Sequence, residues 1–268
     1  MHESRQIWRK INPYNPHEGT QRFTTKRKVL DHGRVRLKQH MGSDIDICHA
    51  ARVLEEYTTW RGVDDVKLLE HLYRNQHTTP FEHTAITFYI KAPIFVFRQW
   101  HRHRTQSYNE MSARYKVLPE EFYVPKPEHV GVQSKSNHQS RIINSESHFG
   151  NVAYDVVDRI RSQCAGDFVA YGWLLDVGVP REIARGVTSV NTYSEMWATA
   201  NLWNWLKFLT LRNNEHAQYE IRVYAEAIEK ILEEHFPITL QIHQGVQYER
   251  IEMEKVYDAW CAAGRSAP

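Results

Sequence analysis

Cysteine is scarce in this chain of 268 residues, which contains only Cys48, Cys164 and Cys261. The three are widely separated, odd in number and form no C-x-x-C pair. The sequence therefore predicts neither a disulfide framework nor a cysteine zinc site. Such usage is typical of a reducing compartment, and we expect the protein to be cytoplasmic.

Long apolar runs are also lacking. The uncharged run "MWATANLWNWL" is well short of a membrane span, and the N-terminal stretch "MHESRQIWRKINPYNP" carries charges where a signal peptide needs an apolar core. We therefore expect neither export nor membrane insertion.

An excess of charge of one sign is missing as well. The formal net charge is +2 and the pI is about 8.3, which disfavours attraction of the whole protein to nucleic acid or an anionic membrane. Any anion should therefore be bound locally. The sequence also lacks G-x-G-x-x-G, a P-loop and G-x-S-x-G, so it predicts no standard dinucleotide or triphosphate cradle and no hydrolase elbow around Ser107 or Ser112.

What is present is an ordinary globular composition, with 41% hydrophobic and 25% charged residues. Helical periodicity outweighs a few β-rich stretches, so the predicted fold class is α+β. No linker separates two domains. We expect an N-terminal extension over 1–34, one domain over 35–240, and a C-terminal helix over 241–268 packed on that domain.

Several individual elements are predicted. We expect a hairpin within "LDHGRVRLKQHMGS", a helix capped by Asp44 or Asp46, a strand over Ala85–Ile90 followed by a helix from Pro93, and a short strand over Phe122–Val124. Further along, we expect a mobile loop over 131–147, a long helix from Val152 to "DVGVP", and nearly continuous helix from Ser194 to Phe236.

The stretch "RHRTQSYNEMSARY" is rich in cations. A helix from Pro93 would put Arg98 and Arg102 one turn apart, with Gln99, Arg102 and His103 on a neighbouring face. Glu110 is the single local carboxylate, and the preceding chain is apolar. The pattern favours an arginine-lined pocket for phosphorylated ligands, although pairing with distant acidic residues or simple solvation stays open.

Two further clusters of polar residues could join that pocket. On one helix, Asn201, Phe208 and Arg212 would fall nearly on one line, with His216 one turn beyond. In "VPREIAR", Arg181 and Arg185 are four residues apart at a helix start, which could suit an anion. The histidines of "HTTPFEH" lack a third ligand, so no metal is predicted.

The spacing R-H-R, seven residues, then S, here Arg102, His103, Arg104 and Ser112, resembles the signature of the flavin-dependent thymidylate synthases. The resemblance spans about Val35 to Phe236. It includes "HTTPFEH", "KAPIFVFRQW", "SYNEMSARY", "GVPREIAR", "NTY" and "LRNNEHAQYEIRVYA" in the family's order.

This resemblance implies an antiparallel sheet packed with long helices, in a single-domain subunit of a homotetramer whose subunits share active sites. It implies the conversion of dUMP to dTMP with FAD, NADPH and 5,10-methylenetetrahydrofolate, which is released as tetrahydrofolate, and no cysteine nucleophile. Its partners would be small-molecule substrates, without nucleic acid. The alternative is an arginine-rich RNA-binding module, which would need a broader basic face.

The resemblance also implies roles for residues. Arg212 matches an arginine that favours ionisation of the uracil N3. The dUMP positions are Gln99, Trp100, His101, Arg102, Glu110, Met111, Ser112, Ala113, Arg114, Arg185 and Arg212. Of these, Gln99, Arg102 and Arg185 would come from one subunit, and Glu110, Ser112, Ala113 and Arg114 from another. The FAD positions are His77, Thr79, Arg102, His103, Arg104, Glu110, Asn201 and Lys207. Leu54, Trp203 and Lys207 depart from residues common in the family.

Overall fold

The computed structural model describes residues 25–54, 59–135, 141–142 and 152–262. Its strands are β1 (Lys26–Val29), β2 (Gly33–Met41), β3 (Ala85–Pro93), β4 (Ser107–Glu110), β5 (Val132–Gln133), β6 (Arg141–Ile142) and β7 (Tyr193–Ala200). Five of them form an antiparallel sheet in the order β1-β2-β3-β7-β4, and β5 pairs with β6. The predicted antiparallel α+β class is confirmed.

The helices are α1 (Asp44–Arg52), α2 (Val63–Arg74), α3 (Thr79–Glu82), α4 (Ile94–Trp100), α5 (Val152–Asp176), α6 (Arg181–Ala184), α7 (Leu202–Arg212), α8 (Tyr219–His235) and α9 (Pro237–Ala262). Apolar faces of α4, α7 and α8 pack on one side of the sheet around Phe88, Trp100 and Trp205, which are fully buried. Within the described residues, no helix is long and apolar enough to cross a membrane.

The hairpin prediction is confirmed by β1 and β2, whose register pairs Val29 with Gly33. Alternation along β2 puts Val35 and Leu37 in the core. The predicted boundary at residue 34 therefore cuts through the hairpin, and the C-terminal boundary at 240 falls inside α9. Residues 1–24 of the predicted extension lie outside the described part.

The prediction of helix through Ser194–Ala200 is wrong, because β7 occupies this stretch. It pairs with β3 on one side and β4 on the other, so Met196 lies opposite both Ile90 and Glu110. Pairing on both sides outweighs the helix propensity of its alanines and methionine. The helix then breaks between α7 and α8, and His216 does not lie one turn beyond Arg212.

The helix after Pro93 is shorter than predicted. It ends at Trp100, so Arg102 and His103 share no helical face with Arg98. The Tyr108 hydroxyl lies 2.7 Å from the main-chain oxygen of His103 and 3.1 Å from that of Trp100. The hydroxyl of this β4 side chain thus adds a shared donor to two carbonyls that already accept main-chain N–H groups of the turn, which supports the turn at the R-H-R motif.

Asp44 does not cap its own helix. Its carboxylate accepts hydrogen bonds from the main-chain N–H of Ile238 at 2.8 Å, and from the N–H and hydroxyl of Thr239 at 3.2 and 2.6 Å. It therefore satisfies the first turn of α9. Burial raises the pKa of Asp44 to about 6 against the effect of these bonds.

The long helix predicted from Val152 is confirmed as α5. Phe168 and Tyr171 of this helix form a second apolar cluster with Leu118 and Ala184, which supports the loop after β4. The predicted strand near Phe122 is reduced to one bridge with Thr192. Of the predicted loop over 131–147, β5 and β6 pair with each other, and 136–140 and 143–147 lie outside the described residues.

Gly33 lies where β2 begins, and a side chain there has no space. A Cβ atom would lie 2.0 Å from the Tyr224 hydroxyl oxygen and 2.5 Å from the main-chain oxygen of Val29. Tyr224 is fully buried and donates to the main-chain oxygen of Lys91, so it cannot move aside. We expect Gly33→Ala to lower the free energy of unfolding by about 3 kcal/mol. Urea titration checks this, and a stability unchanged from wild type would contradict the close packing.

His243 makes stability depend on pH. It is 2% exposed, its Nδ1 lies 2.7 Å from the Tyr73 hydroxyl, and burial lowers its pKa to about 4. The unfolded chain binds the proton more readily than the folded one, so this contribution is present above about pH 6.5 and declines as pH falls towards 4.

We therefore expect His243 to contribute a loss of about 2 kcal/mol in unfolding free energy between pH 7 and pH 5. His243→Gln retains a neutral hydrogen-bonding side chain and should lose correspondingly less. Urea unfolding of both proteins at the two pH values tests this. Equal losses in the two proteins would show that His243 does not carry the effect.

Candidate active site

Arg212, at the end of α7, meets the turn that follows α4. Its Nε donates to Nε2 of His103 at 3.0 Å, and one terminal nitrogen donates to the main-chain oxygen of Gln99 at 3.2 Å. Burial and the charge of Arg212 lower the pKa of His103 to about 4. His103 is therefore a neutral acceptor near pH 7, with its proton on Nδ1.

The position of His103 is fixed on its other side. Its ring packs edge-on against Phe208 with centroids 4.9 Å apart, and Phe208 in turn lies 4.6 Å from Trp100. Packing of Phe208 on Trp100 thus fixes the His103 imidazole. The imidazole in turn fixes the Arg212 guanidinium. Burial also lowers the pKa of Arg212, yet an arginine stays charged. The result is a fixed cation at the edge of the core, with part of its guanidinium still able to donate.

Arg102 and Arg104 flank His103 and are exposed. Neither guanidinium forms a hydrogen bond or ion pair with another residue in the described part of the chain. Among the described residues, these two arginines therefore do not pair with distant carboxylates. Their exposed guanidinium groups, together with the half-buried one of Arg212, suit a ligand with several anionic oxygens.

A separate cavity of about 270 Å³ lies at the outer end of β4 and β7. Its lining comprises Tyr89, Asn109, Glu110, Met111, Ser112, Tyr115, Lys116, Glu195, Met196 and Trp197. Neither Arg212 nor Gln99 lines it, so the polar groups of one subunit occur in two places. We call them the Arg212 cluster (Gln99, His103 and Arg212) and the Ser112 cavity, defined by the lining above.

Helix α6 lies against the loop that closes the Ser112 cavity. Arg114 pairs with Glu182 at 3.1 Å, and Arg181 donates to the main-chain oxygen of Tyr115 at 3.3 Å. Arg185, at the end of this helix, is exposed and makes no contact with a charged group among the described residues. Arg185 itself is not among the residues that line the Ser112 cavity.

The chain matches known proteins over most of its length. The family described as "Thymidylate synthase complementing protein" matches residues 36–238. The flavin-dependent thymidylate synthase of Ehrlichia ruminantium (strain Gardel) is 45% identical over 212 residues, which are 79% of this chain and 70% of that protein. The chain belongs to the flavin-dependent thymidylate synthase family.

Other relatives extend this result. The flavin-dependent thymidylate synthase of Thermotoga neapolitana is 41% identical over 213 residues, 80% of this chain and 91% of that protein. A solved structure of PolB from Streptomyces cacaoi, a UMP/dUMP methylase bound with 5-Br UMP, superposes with a TM-score of 0.72. It is 33% identical and covers 81% of this chain and 96% of that one. The resemblance in sequence is confirmed, and the RNA-binding alternative receives no support.

Among the residues that the family resemblance singles out for dUMP, Trp100 is a special case. Its side chain is fully buried, donates to the side-chain oxygen of Gln106 at 3.1 Å and packs on Phe208. A nucleotide could meet only its main chain. His101 is half-buried, with Nε2 4.0 Å from the Glu110 carboxylate and its ring stacked on Phe97. It links the turn after α4 to β4.

Further family positions for FAD lie at the starts of two helices, α3 and α7. Thr79 begins α3, and the ring of His77 just before it is 5.6 Å from that of His71. Asn201 caps α7, because its Oδ1 accepts from the Asn204 main-chain N–H at 3.0 Å. The cap leaves the Asn201 amide nitrogen able to donate elsewhere.

The departures from common family residues have a structural reason in part. Trp203 is 5% exposed and fills the core between Tyr73 and Phe81, and the exposed Lys207 lies with its ammonium 5.8 Å from the Trp203 ring. Some family members have an arginine at position 203; here the position holds tryptophan, and Lys207 supplies a cation next to it. Leu54 is half-buried at the end of the first described range, and nothing in its surroundings explains the change.

Sequence reasoning missed Gln218 and Glu220, which connect to Gln99 through hydrogen bonds. Both lie in "LRNNEHAQYEIRVYA", a segment that carries the family resemblance, but they received no role. The available signal was a glutamate among apolar residues at the start of α8. A buried carboxylate at such a position needs partners, and those partners lead to the site.

Proposed function

We propose that this protein is a flavin-dependent thymidylate synthase that converts dUMP to dTMP. 5,10-Methylenetetrahydrofolate donates the carbon unit and leaves as tetrahydrofolate, and NADPH is the reductant through FAD. The observation that carries the proposal is Arg212, a cation held by His103 and Gln99 beside the free guanidinium groups of the R-H-R motif. Family membership and the names of the relatives support the same activity.

The residues present fit FAD. Arg102 and Arg104 offer two guanidinium groups without partners among the described residues, which suits a diphosphate. Asn201 keeps a free amide N–H, and Lys207 adds an exposed cation. Together with His77, Thr79, His103 and Glu110, these are the residues that would hold the cofactor. When bound, FAD supplies the hydride chemistry that the side chains of the protein lack.

Arg212 has the properties needed to activate the uracil ring. The ring becomes nucleophilic at C5 when negative charge develops on it, and loss of the N3 proton provides such charge. A guanidinium that is already fixed stabilises that charge without reorganising at the moment of reaction. Neutral His103 and the main-chain oxygen of Gln99 fix two of its N–H groups and leave others for the pyrimidine.

Cys48 and Cys164 do not suit a role as nucleophile. Burial and the charge of Asp65 raise the pKa of Cys48 to about 12, and Cys164 is buried against Ser189. Neither of these two thiols lines the Ser112 cavity or touches the Arg212 cluster. The side chain of the third cysteine, Cys261, lies outside the described part of the protein. We propose that activation of the ring rests on electrostatics from Arg212, without a covalent bond to the protein.

The active site is shared between subunits of a homotetramer. This proposal is supported by the separation of the Arg212 cluster from the Ser112 cavity within one subunit. Residues expected to bind the same nucleotide lie in both places, so a complete site needs the cluster of one subunit and the cavity of another. Gln99, Arg102 and Arg185 would come from one subunit, and Glu110, Ser112, Ala113 and Arg114 would come from a second. Helix α6, which ends next to Arg185, packs on the loop of its own subunit that carries Arg114 and Tyr115.

Product analysis tests the proposed activity. Purified protein loaded with FAD is incubated with dUMP, methylenetetrahydrofolate and NADPH, and nucleotides are separated by chromatography. We expect dTMP only when all four components are present, together with flavin absorbance of the loaded protein. Failure to form dTMP by a folded, flavin-loaded protein would refute the proposal, and retention of RNA without flavin would revive the binding-module alternative.

A further inference from the structure

Glu220 is a buried carboxylate with a full set of donors. It is 2% exposed at the start of α8. Oε1 accepts from the Tyr123 hydroxyl at 3.0 Å and from Arg141 at 2.9 Å, and Oε2 accepts from Nε2 of Gln218 at 2.8 Å. A carboxylate in an ion pair with Arg141 can only accept hydrogen bonds. The Gln218 amide must therefore turn its nitrogen towards Glu220.

That orientation fixes the next residue as well. With Nε2 of Gln218 directed at Glu220, its Oε1 faces Gln99 and accepts from Nε2 of Gln99 at 2.5 Å. The Gln99 amide then has only one possible direction, because reversing it would place two carbonyl oxygens against each other. Its Oε1 is left without a partner among the residues that the structure describes. One carboxylate thus orients two amides in series.

Gln99 is also part of the Arg212 cluster. Its main-chain oxygen accepts from Arg212 at 3.2 Å, and its side chain projects from the last turn of α4. A ligand that spans Arg212 and the Gln99 side chain would meet an arginine that donates and a glutamine oxygen that accepts. If the Gln99 amide were free to turn over, its nitrogen would take the place of Oε1. A hydrogen-bond donor on the ligand would then have no acceptor there.

We propose that Glu220 and Gln218 are positioning residues that orient the Gln99 amide, so that Gln99 Oε1 accepts a hydrogen bond from a donor group of the bound pyrimidine nucleotide. This inference rests on the proposed function, which places dUMP at Arg212. Neither residue touches the nucleotide itself. They act through the direction of one hydrogen-bond chain and thereby contribute to selection of a ligand with a donor at that point.

The donor–acceptor direction of this series of hydrogen bonds can be altered by a substitution that keeps the shape of the side chain. Glu220→Gln puts an amide at the buried end, and this amide can donate to Gln218 as well as accept from it. We expect the Kd for dUMP to rise about tenfold, the scale of one hydrogen bond to a correctly directed acceptor. Gln218→Met breaks the same chain at an exposed residue, where folding is not at risk, and should give a similar rise.

Restoring the direction should restore binding. In the double variant Gln218→Glu/Glu220→Gln, the carboxylate stands at position 218 and accepts both from Gln99 Nε2 and from the amide at 220. We expect its Kd for dUMP to return to within about threefold of wild type. Tyr123→Phe is the matched control, because it removes a donor to Glu220 but leaves the carboxylate and the direction of the chain.

The inference is tested by measuring the equilibrium Kd for dUMP of each flavin-loaded variant. A double variant that binds no better than Glu220→Gln would overturn the inference, as would single variants with the wild-type Kd. Binding is measured without turnover. Wild-type protein that binds dUMP but makes no dTMP would thus contradict the proposed function alone, whereas wild-type protein that does not bind dUMP would contradict both.

Discussion

We expect Arg212→Lys to lower the turnover number for dTMP formation by about 100- to 1000-fold and to leave bound FAD near the wild-type level. The scale is that of removing one preorganised donor from a developing anion. Lysine keeps the charge, but its single ammonium cannot reach His103, Gln99 and the pyrimidine in the geometry of the planar guanidinium. The measurements are the rate of dTMP formation at saturating dUMP and the flavin absorbance per protein.

Arg159→Lys is the matched control for this substitution. Arg159 is exposed on α5 and makes no hydrogen bond or ion pair with another described residue, so the same chemical change there should leave turnover and flavin content unchanged. Parallel loss of FAD and turnover in Arg212→Lys would assign Arg212 to the cofactor. Wild-type turnover in that variant would remove it from catalysis.

Mixing two inactive variants should restore activity if one active site needs residues of two subunits. Arg212→Ala disables the Arg212 cluster, and Arg114→Ala removes a proposed dUMP contact on the loop that borders the Ser112 cavity. In oligomers assembled at random from equal amounts, a site draws an intact cluster with a chance of one half and an intact cavity with a chance of one half. We expect about a quarter of wild-type turnover.

Co-expression with two different affinity tags, followed by purification on both, isolates the mixed oligomers for this assay. Gln99→Ala mixed with Arg212→Ala is the control, because both changes fall in the same cluster and no combination of subunits can supply an intact one. Recovery in the control, or none in the first mixture, would contradict the assignment of the two clusters to different subunits.

Much of the fold follows from local sequence, as the β1–β2 hairpin and α5 illustrate. Their apolar spacing and turn residues act within a few positions of each other. The strand β7 was mistaken for helix because its state is set by partners far away in sequence, at Ile90 and Glu110. Helix propensity carries no information about such pairing.

The candidate site divides in the same way. The R-H-R motif identified Arg102, His103 and Arg104, and composition alone indicated that they meet anions. What composition could not give was the contact between His103 and Arg212, which lie 109 positions apart. Nor could it give the separation of the Arg212 cluster from the Ser112 cavity, because both depend on where β4 and α7 lie in the folded subunit.

A single-turnover experiment tests the central claim most directly. Protein whose FAD has been reduced chemically is mixed anaerobically with dUMP and methylenetetrahydrofolate, without NADPH, and dTMP is quantified beside the oxidised flavin absorbance. The account predicts one dTMP formed for each flavin reoxidised, and the same result in a variant with Cys48, Cys164 and Cys261 all changed to alanine. Formation of dTMP while the flavin stays reduced, or a folded, flavin-loaded triple variant that forms none, would contradict it.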